Sequence, residues 1–114
     1  MTSSIHLQLA KRLYEAFMSG DRQFYEENLS NDFIFSSPYD IGLDRTGYFE
    51  RCWPGAGQGG KINFVRLIES KDEVIVTYES TKPDGSKGRN TEIIGFKDNK
   101  ISSVEVYFGW NIRA

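Results

Sequence analysis

The sequence has few of the residues that metal centres and nucleophilic active sites require. Its 114 residues include one cysteine, Cys52, and one histidine, His6. A lone cysteine cannot form an intrachain disulfide, and a lone histidine without neighbouring cysteines argues against a metal site. Cys52 as a nucleophile would need His6 as its base, so we expect it to be a small buried apolar residue instead. Carboxylates and hydroxyls remain, and they favour proton transfer, hydration or cyclisation without a metal or cofactor.

The chain also has no strong excess of one charge and no long hydrophobic run at its start. Its formal net charge is −2, so we expect neither nucleic acid nor an anionic membrane as a partner. The first residues, MTSSIHLQLAKRLYEAF, contain no apolar run long enough for a signal peptide or a membrane span. A chain of this length has room for one core or one pocket. We therefore expect residues 1–114 to form a single cytoplasmic domain.

Aromatic residues, in contrast, are abundant. Eight Phe, six Tyr and two Trp make up 14% of the chain. This share is high for so short a chain, and it is typical of a sheet that wraps around a cavity.

Two helices are predicted at the start of the chain. Ser3 or Ser4 can cap the first helix. An apolar residue then recurs at every fourth position, at Ile5, Leu9, Leu13 and Phe17. Gly20 ends this helix, and Asp21 can cap a short second helix. The apolar side of the second helix consists of Phe24, Tyr25 and Leu29. We expect the two helices to cover one face of a sheet.

Prolines mark the ends of the next two elements. Residues Asp32–Pro38 alternate as a strand that stops at its proline. Asp44 or Thr46 can cap a third helix, which Pro54 closes. This helix contains Tyr48, Phe49, Arg51, Cys52 and Trp53. The glycine-rich stretch 55–60 resembles a phosphate loop only superficially, because a helix precedes it and a strand follows it. We expect a flexible lid or connector there.

The rest of the chain alternates as strands. Two of them are Lys61–Ser70 and Glu73–Lys82. The turn 83–85 then leads into a longer pair of strands within Arg89–Trp110. The elements therefore follow one another as two helices, a strand, a helix and four strands. This order is typical of an α+β domain in which helices pack on one face of a mainly antiparallel sheet.

Glu92 is the unusual residue of this last pair of strands. Because side chains alternate along a strand, Glu92 shares a face with Asn90, Ile94 and Phe96. A carboxylate on an apolar face is costly to bury unless it is paired or protonated. Burial would raise the pKa of Glu92 and leave it able to donate a hydrogen bond. A salt bridge to Arg66, Arg89 or another basic group would lower that pKa instead.

Four stretches of the chain resemble one family. They are Phe35–Asp40, Tyr48–Pro54, Arg89–Glu92 and Val104–Trp110. With Met18–Asp21 and the closing Asn111 and Ile112, they make nearly the whole chain similar to the SnoaL-like branch of the nuclear transport factor and ketosteroid isomerase-like superfamily. The resemblance implies a cone-shaped α+β fold, in which a strongly curved, mainly antiparallel sheet and three helices enclose a pocket. It also implies a homodimer that forms through the outer face of the sheet.

The resemblance also implies roles for particular residues. The general base of ketosteroid isomerases stands before a proline at the end of the first strand, and Ser37 occupies that place here. Serine cannot act as this base unless a partner deprotonates it. The oxyanion tyrosine of the first helix aligns with Leu13, with Tyr14 one place away, and the oxyanion acid aligns with Glu92. Steroid isomerisation by the standard mechanism is therefore not expected.

The candidate site combines the strand alternation with the resemblance. The catalytic candidates are Glu92, Asp40 and Tyr14. The candidates for ligand binding are Phe17, Phe35, Ser37, Phe49, Trp53, Tyr78, Val106, Phe108 and Trp110, and Phe33 and Ile94 are expected to face the same cavity. We expect no metal and no cofactor. The expected ligand is a small hydrophobic or mixed-polarity molecule.

Three functions fit these observations. An acid–base enzyme of the isomerase, cyclase or hydratase type and a ligand-binding protein without catalysis both require an aromatic cavity with Glu92 at its polar floor. A dimerisation module would instead expose a large apolar patch.

Two further expectations concern the surface. Ile93 and Tyr107 among mixed charges make the outer face of the sheet apolar enough to predict a homodimer, with Arg89 paired to Glu105. At the mouth of the cavity, Arg45 and Arg51 are expected to lie near Asp40, either to neutralise the acidic residues there or to orient a polar group of the ligand.

Overall fold

A computed structural model of the chain describes residues 4–112, and the side chains of residues 4–109. Within this range the helices are α1 (Ile5–Ser19), α2 (Arg22–Asn28) and α3 (Arg45–Arg51), followed by a 3₁₀-helix (Trp53–Gly55). The strands are β1 (Leu29–Ser36), β2 (Leu43–Asp44), β3 (Lys61–Ser70), β4 (Glu73–Thr81), β5 (Lys87–Lys97) and β6 (Lys100–Ile112). The predicted α+β class is confirmed, and the short strand β2 is an addition to it.

The strands of the described range form one curved sheet. Their order is β2-β1-β6-β5-β4-β3. Neighbouring strands are antiparallel, except that β1 runs parallel to β6. The register shifts between Phe64 and Arg66 in β3 and at two places along the β5–β6 pair. Such bulges bend a strand and increase its twist. The result is the predicted cone-shaped fold with a mainly antiparallel sheet.

Helix α1 has the predicted ends but a different buried face. The Ser4 side chain accepts a hydrogen bond from the Leu7 N–H, and Gly20 ends the helix in the left-handed region. The buried residues are Ala10, Leu13, Tyr14 and Ala16. Ile5, which the predicted stripe placed on the apolar face, is 48% exposed. The stripe was wrong at this end because a helix turns once in about 3.6 residues, so a strict four-residue repeat drifts around its surface.

The next two helices are capped as predicted. Asp21 accepts a hydrogen bond from the Phe24 N–H at the start of α2, and Asp44 accepts one from the Gly47 N–H at the start of α3. Helix α3 ends before Trp53, which begins the 3₁₀-helix instead. Pro at the start of a helical turn is tolerated, whereas Pro inside α3 would clash with the preceding turn.

The β5–β6 hairpin orients the faces of the sheet. Its turn residues, Asp98 and Asn99, have φ values of 54° and 61°. Two consecutive residues with positive φ are typical of the two-residue turns that join tightly twisted strands. Glu92 then pairs with Val106 in the register. Val106 is buried while Tyr107 is 51% exposed, so the predicted alternation of inner and outer faces is confirmed.

The glycine-rich connector after α3 is attached to the first helix. The Gly57 N–H donates a 2.8 Å hydrogen bond to the Phe17 carbonyl, and the backbone of Gly57 packs against Gly20. Gly60 has a φ of 97°, and a Cβ there would lie 2.6 Å from the Thr81 carbonyl oxygen. Only glycine fits such a position. The stretch therefore connects α3 to β3, and these contacts hold it against α1 and β4.

None of the helices in residues 4–112 is long and apolar enough to cross a membrane. The cytoplasmic location stays a prediction.

Candidate functional site

Helices α1, α2 and α3 and the inner face of the sheet surround a cavity of about 360 Å³. The lining includes these predicted residues: Tyr14, Phe17, Phe33, Phe35, Ser37, Asp40, Tyr78, Glu92, Val106 and Phe108. A cavity of this volume with mostly apolar walls and a few polar groups is typical of small-molecule sites.

Three of the predicted lining residues lie elsewhere. Trp53 packs behind the cavity wall against Tyr25, with ring centroids 4.6 Å apart, and Phe49 packs against Trp53. Tyr48 takes the place in the cavity wall that we predicted for these two rings, because α3 turns its side chain inward. Ile94 is fully buried in the core and does not line the cavity. The side chain of Trp110 lies outside the described residues.

The lining contains other residues that the sequence reasoning did not place there. They are Leu13, Met18, Tyr25, Tyr39, Tyr48, Cys52, Ile62, Ser80, Asn90 and Val104. Alternation could have identified Asn90 and Ser80, since they share faces with Glu92 and Tyr78 on their strands. Tyr25 and Tyr48 lie on short helices whose orientation no local pattern predicts.

The polar centre of the cavity is Glu92, held between two tyrosines. Tyr14 on α1 donates a 2.9 Å hydrogen bond from its hydroxyl to Glu92 Oε1. Tyr78 on β4 donates a 2.5 Å hydrogen bond to Glu92 Oε2. Only 8% of the Glu92 surface is exposed. Both carboxylate oxygens therefore have a phenol partner inside the fold.

Burial decides the protonation of this group. Loss of solvent raises the pKa of Glu92, although the hydrogen bonds from Tyr78 and Tyr14 act in the opposite direction. Burial and the neighbouring Glu92 also raise the pKa values of Tyr14 and Tyr78, which keeps both phenols protonated at neutral pH. Within the described residues, no salt bridge reaches Glu92. Arg66 donates to the Thr77 hydroxyl, and Arg89 pairs with Glu79.

Asn90 extends this network toward the cavity mouth. Its Nδ2 donates to the Tyr78 hydroxyl at 3.3 Å, and its Oδ1 accepts a hydrogen bond from the Gly109 N–H at 3.3 Å. Strands β5 and β6 approach each other closely here. A Cβ on Gly109 would lie only 2.1 Å from the Arg89 carbonyl oxygen. Asn90 thus fixes the direction in which the Tyr78 hydroxyl points.

The loop after β1 forms one side of the mouth. The Ser37 hydroxyl accepts hydrogen bonds from the backbone N–H groups of Tyr39 and Asp40, at 3.2 and 3.3 Å. Asp40 Oδ1 in turn accepts a 2.8 Å hydrogen bond from Arg51 Nε. Arg45, which we expected near Asp40, pairs with Glu26 instead. Of the two arginines predicted at the mouth, only Arg51 pairs with Asp40.

Neither His6 nor Cys52 forms a second reactive centre. His6 stacks on Phe96 with centroids 4.3 Å apart, and its Nδ1 lies 3.4 Å from Glu69. Cys52 lines the cavity and is only partly buried, which differs from the expected buried position. Burial raises the pKa of its thiol, so the less nucleophilic protonated form is favoured. In the described residues no group of three or more His, Cys, Asp or Glu side chains is arranged to hold a metal ion.

Comparison with known proteins identifies the architecture. No family model and no curated protein sequence matches the chain. An NTF2-like protein of unknown function from Burkholderia xenovorans shares the structure with a TM-score of 0.75 and 16% identity, covering 96% of this chain and 87% of that one. The chain has the NTF2-like fold. A candidate ketosteroid isomerase from Kribbella flavida superimposes with a TM-score of 0.80 at 14% identity, covering 96% and 82% of the two chains. An LEH-like epoxide hydrolase from M. tuberculosis superimposes with a TM-score of 0.73 at 14% sequence identity, covering 92% of this chain and 83% of that one.

The structure also shows where the residues lie that the sequence resemblance aligned with an isomerase site. Tyr14, and not its neighbour Leu13, contributes the hydroxyl that reaches Glu92. At the position of the usual base, the Ser37 hydroxyl is engaged as the acceptor of a turn. Asp40 is the second carboxylate of the lining. The arrangement therefore has a buried acid with two phenols, and a carboxylate at the mouth, but no carboxylate at the usual position.

Proposed function

We propose that the protein binds a small, mainly apolar molecule in this cavity and acts on it by metal-free acid–base chemistry of the isomerase, cyclase or hydratase type. The observation that carries the proposal is Glu92. It lines the cavity, it is buried, and among the described residues its direct partners are the Tyr14 and Tyr78 hydroxyls and not a cation.

A buried carboxylic acid of this kind suits a developing oxyanion. Burial raises the pKa of Glu92 and so favours its protonated form, and in that form the acid can donate a hydrogen bond to an oxygen of the ligand. Donors that are fixed before the reaction stabilise negative charge without reorganisation. Tyr14 comes from α1 and Tyr78 from β4, so the helix and the sheet hold the acid from both sides. Asn90 holds Tyr78 in turn.

Asp40 is the candidate for the opposite role. It lines the cavity near the mouth and forms an ion pair with Arg51. A site with two carboxyl groups in different surroundings, one buried between phenols and one paired with an arginine, can use them as an acid and a base. The structural neighbours include a candidate ketosteroid isomerase and an LEH-like epoxide hydrolase. Their names support the proposal that this fold can host acid–base chemistry.

The experiment has two steps. Native mass spectrometry of the purified protein first identifies a small molecule that remains bound, and that molecule or its precursor then serves as the substrate in a turnover assay. Glu92→Gln preserves the shape of the side chain but cannot transfer a proton. We expect the variant to bind the molecule within a few-fold of the unchanged protein and to lose turnover. Retained turnover in Glu92→Gln would contradict the proposed role.

Ligand binding without catalysis is the second candidate. The observation that favours it is Ser37, whose hydroxyl stands at the usual base position but is committed to the backbone N–H groups of the turn. In that case the unchanged protein binds the molecule and leaves it unaltered. The same two measurements, affinity and turnover, therefore separate the two candidates.

A further inference from the structure

A second, outer cavity adjoins the cavity that contains Glu92. The outer cavity has a volume of about 610 Å³. Four residues line both spaces, namely Tyr39, Ser80, Asn90 and Phe108. Two cavities with a shared wall of this extent can accommodate one elongated molecule. A ligand with its first half beside Glu92 can therefore extend into the outer space.

The two cavities differ in their chemistry. The inner one is mostly aromatic and aliphatic, and its two carboxyl groups belong to Glu92 and Asp40. The outer one adds Lys82, Ser86, Lys87, Gly88 and Gly109 to the shared residues. None of its lining residues in the described part of the chain is an Asp or a Glu. Lys82, Lys87 and Ser86 thus give the outer cavity positive charge and a hydroxyl group, whereas most of the inner wall is apolar.

The lysines of the outer cavity are available to a ligand. Lys82 and Lys87 are exposed. Within residues 4–112, neither forms an ion pair with an acidic side chain. Asp84, in the turn between them, is engaged by the Ser86 N–H and hydroxyl. These hydrogen bonds hold the pKa of Asp84 below its usual range, with a smaller effect from Lys82.

The strand register places Lys82 in line with the buried network. Side chains at every second position share a face, so Tyr78, Ser80 and Lys82 follow one another on the same side of β4 and its extension. A strand rises about 3.3 Å per residue, which puts Lys82 about 13 Å beyond Tyr78. Asn90 pairs with Tyr78 in the register and lies at the junction of the two cavities.

We infer that the ligand is an elongated amphiphilic anion. Its apolar body fills the inner cavity with an oxygen at Glu92, and its anionic group, a carboxylate, sulfate or phosphate, lies in the outer cavity beside Lys82. The inference rests on the proposed function, because it assigns the inner cavity to the same ligand. It adds the class of molecule and a specificity-determining residue.

The test uses decanoate with a hydroxyl on its terminal carbon, and the methyl ester of the same molecule as the neutral control. Calorimetry at low salt measures both affinities. Because the lysines are exposed, we expect a preference for the acid of about fivefold, the size of a surface ion pair. The preference should shrink as salt is added, since exposed charges are screened.

Variants assign the preference to its source. Lys82→Gln should remove the preference for the acid. Lys11→Gln is the control, because Lys11 is an exposed lysine on α1 that lines neither cavity, and this variant should keep the preference. Asp84→Asn removes an acid that interacts electrostatically with Lys82 and should increase the preference. Substitution of Lys82 does not touch the buried core, so these variants are expected to fold.

Three outcomes would overturn the inference. Equal affinities for the acid and the ester would show that the outer cavity does not select an anion, and would leave the proposed function intact. A preference that survives in Lys82→Gln but disappears in Tyr78→Phe would place the carboxylate inside, at Glu92. Absence of binding by both probes would contradict the inference and the proposed apolar cavity ligand together.

Discussion

Tyr14 and Glu92, 78 positions apart in the sequence, are joined by a 2.9 Å hydrogen bond in the interior of the protein. The bond ties the first helix to a central strand of the sheet. Its acceptor is a carboxyl group whose pKa is raised by burial. The protonation of one side chain is therefore coupled to the packing of helix against sheet, and both can be measured.

Glu92→Gln should change how stability depends on pH. An exposed Glu titrates near about 4.3, and burial raises the pKa of Glu92 in the folded state. Between these two values the folded state retains a proton that the unfolded state has lost. The free energy of unfolding therefore falls as pH rises through this window. The contribution of protonated Glu92 to stability is complete only below the pKa of the unfolded state. Each unit that separates the two pKa values corresponds to about 1.4 kcal/mol.

Urea unfolding over a range of pH checks this expectation. The variant should gain stability relative to the unchanged protein as pH rises above about 4.3. Glu15→Gln on the exposed side of α1 is the matched control, because it makes the same substitution without removing a buried carboxyl group. An infrared or NMR titration that finds Glu92 fully ionised at pH 5 would contradict the raised pKa.

Removing one phenol should raise the pKa of Glu92 further. The hydrogen bonds from Tyr78 and Tyr14 favour the ionised form of Glu92. Tyr14→Phe and Tyr78→Phe should each shift its titration upward, and each should cost about 1 kcal/mol of stability. Tyr25→Phe is the control, because its hydroxyl donates to the Leu13 carbonyl and not to Glu92. An NMR titration of Glu92 that is the same in all three variants would contradict the network.

Much of this arrangement was predictable because short-range rules govern it. The caps at Asp21 and Asp44, the bounds of β3 and the inward face of Glu92 follow from capping chemistry and strand alternation. The raised pKa of Glu92 follows from placing a carboxyl on an apolar face.

The remaining part of the site depends on how elements pack, which no local pattern encodes. Whether Tyr48 or Phe49 faces the cavity depends on the rotation of α3, a short helix that Pro54 and the 3₁₀-helix interrupt. Arg89 pairs with Glu79 on β4, whereas we predicted a pair with Glu105 on β6. Because β5 lies between β4 and β6, either strand could supply the acid, and alternation along the strand does not decide between them. The outer cavity arises from separate elements that only the fold brings together.

Asp40→Asn should weaken ligand binding without much effect on stability. The ion pair of Asp40 with Arg51 is largely exposed on the arginine side, where 60% of the side chain is accessible. Such a pair contributes about 0–1 kcal/mol to stability. Thermal unfolding should therefore change little, while the affinity for the molecule found by native mass spectrometry should fall. An unchanged affinity would remove Asp40 from the binding site.

We predict a symmetric homodimer through the outer face of the sheet. Ile93 is half-buried there and Tyr107 is 51% exposed, beside the buried Thr77 and its hydrogen-bonded partner Thr91. An apolar patch with charged residues around it is typical of an interface between identical chains. Light scattering at micromolar concentration should give twice the monomer mass, and Ile93→Asp should reduce it to the monomer mass. A monomer in the unchanged protein would contradict the prediction.

The parallel pairing of β1 with β6 has a consequence for how the protein acquires its structure. Phe35 lies opposite Val104, so 69 positions of sequence separate two strands that are neighbours in the sheet. The hairpins among β3, β4, β5 and β6 can form from local segments, but β1 must wait for β6 before it can join the sheet. Closing so long a loop slows folding. We expect the hairpins to form first, and the ligand cavity to appear only with the slow docking of β1 and the helices.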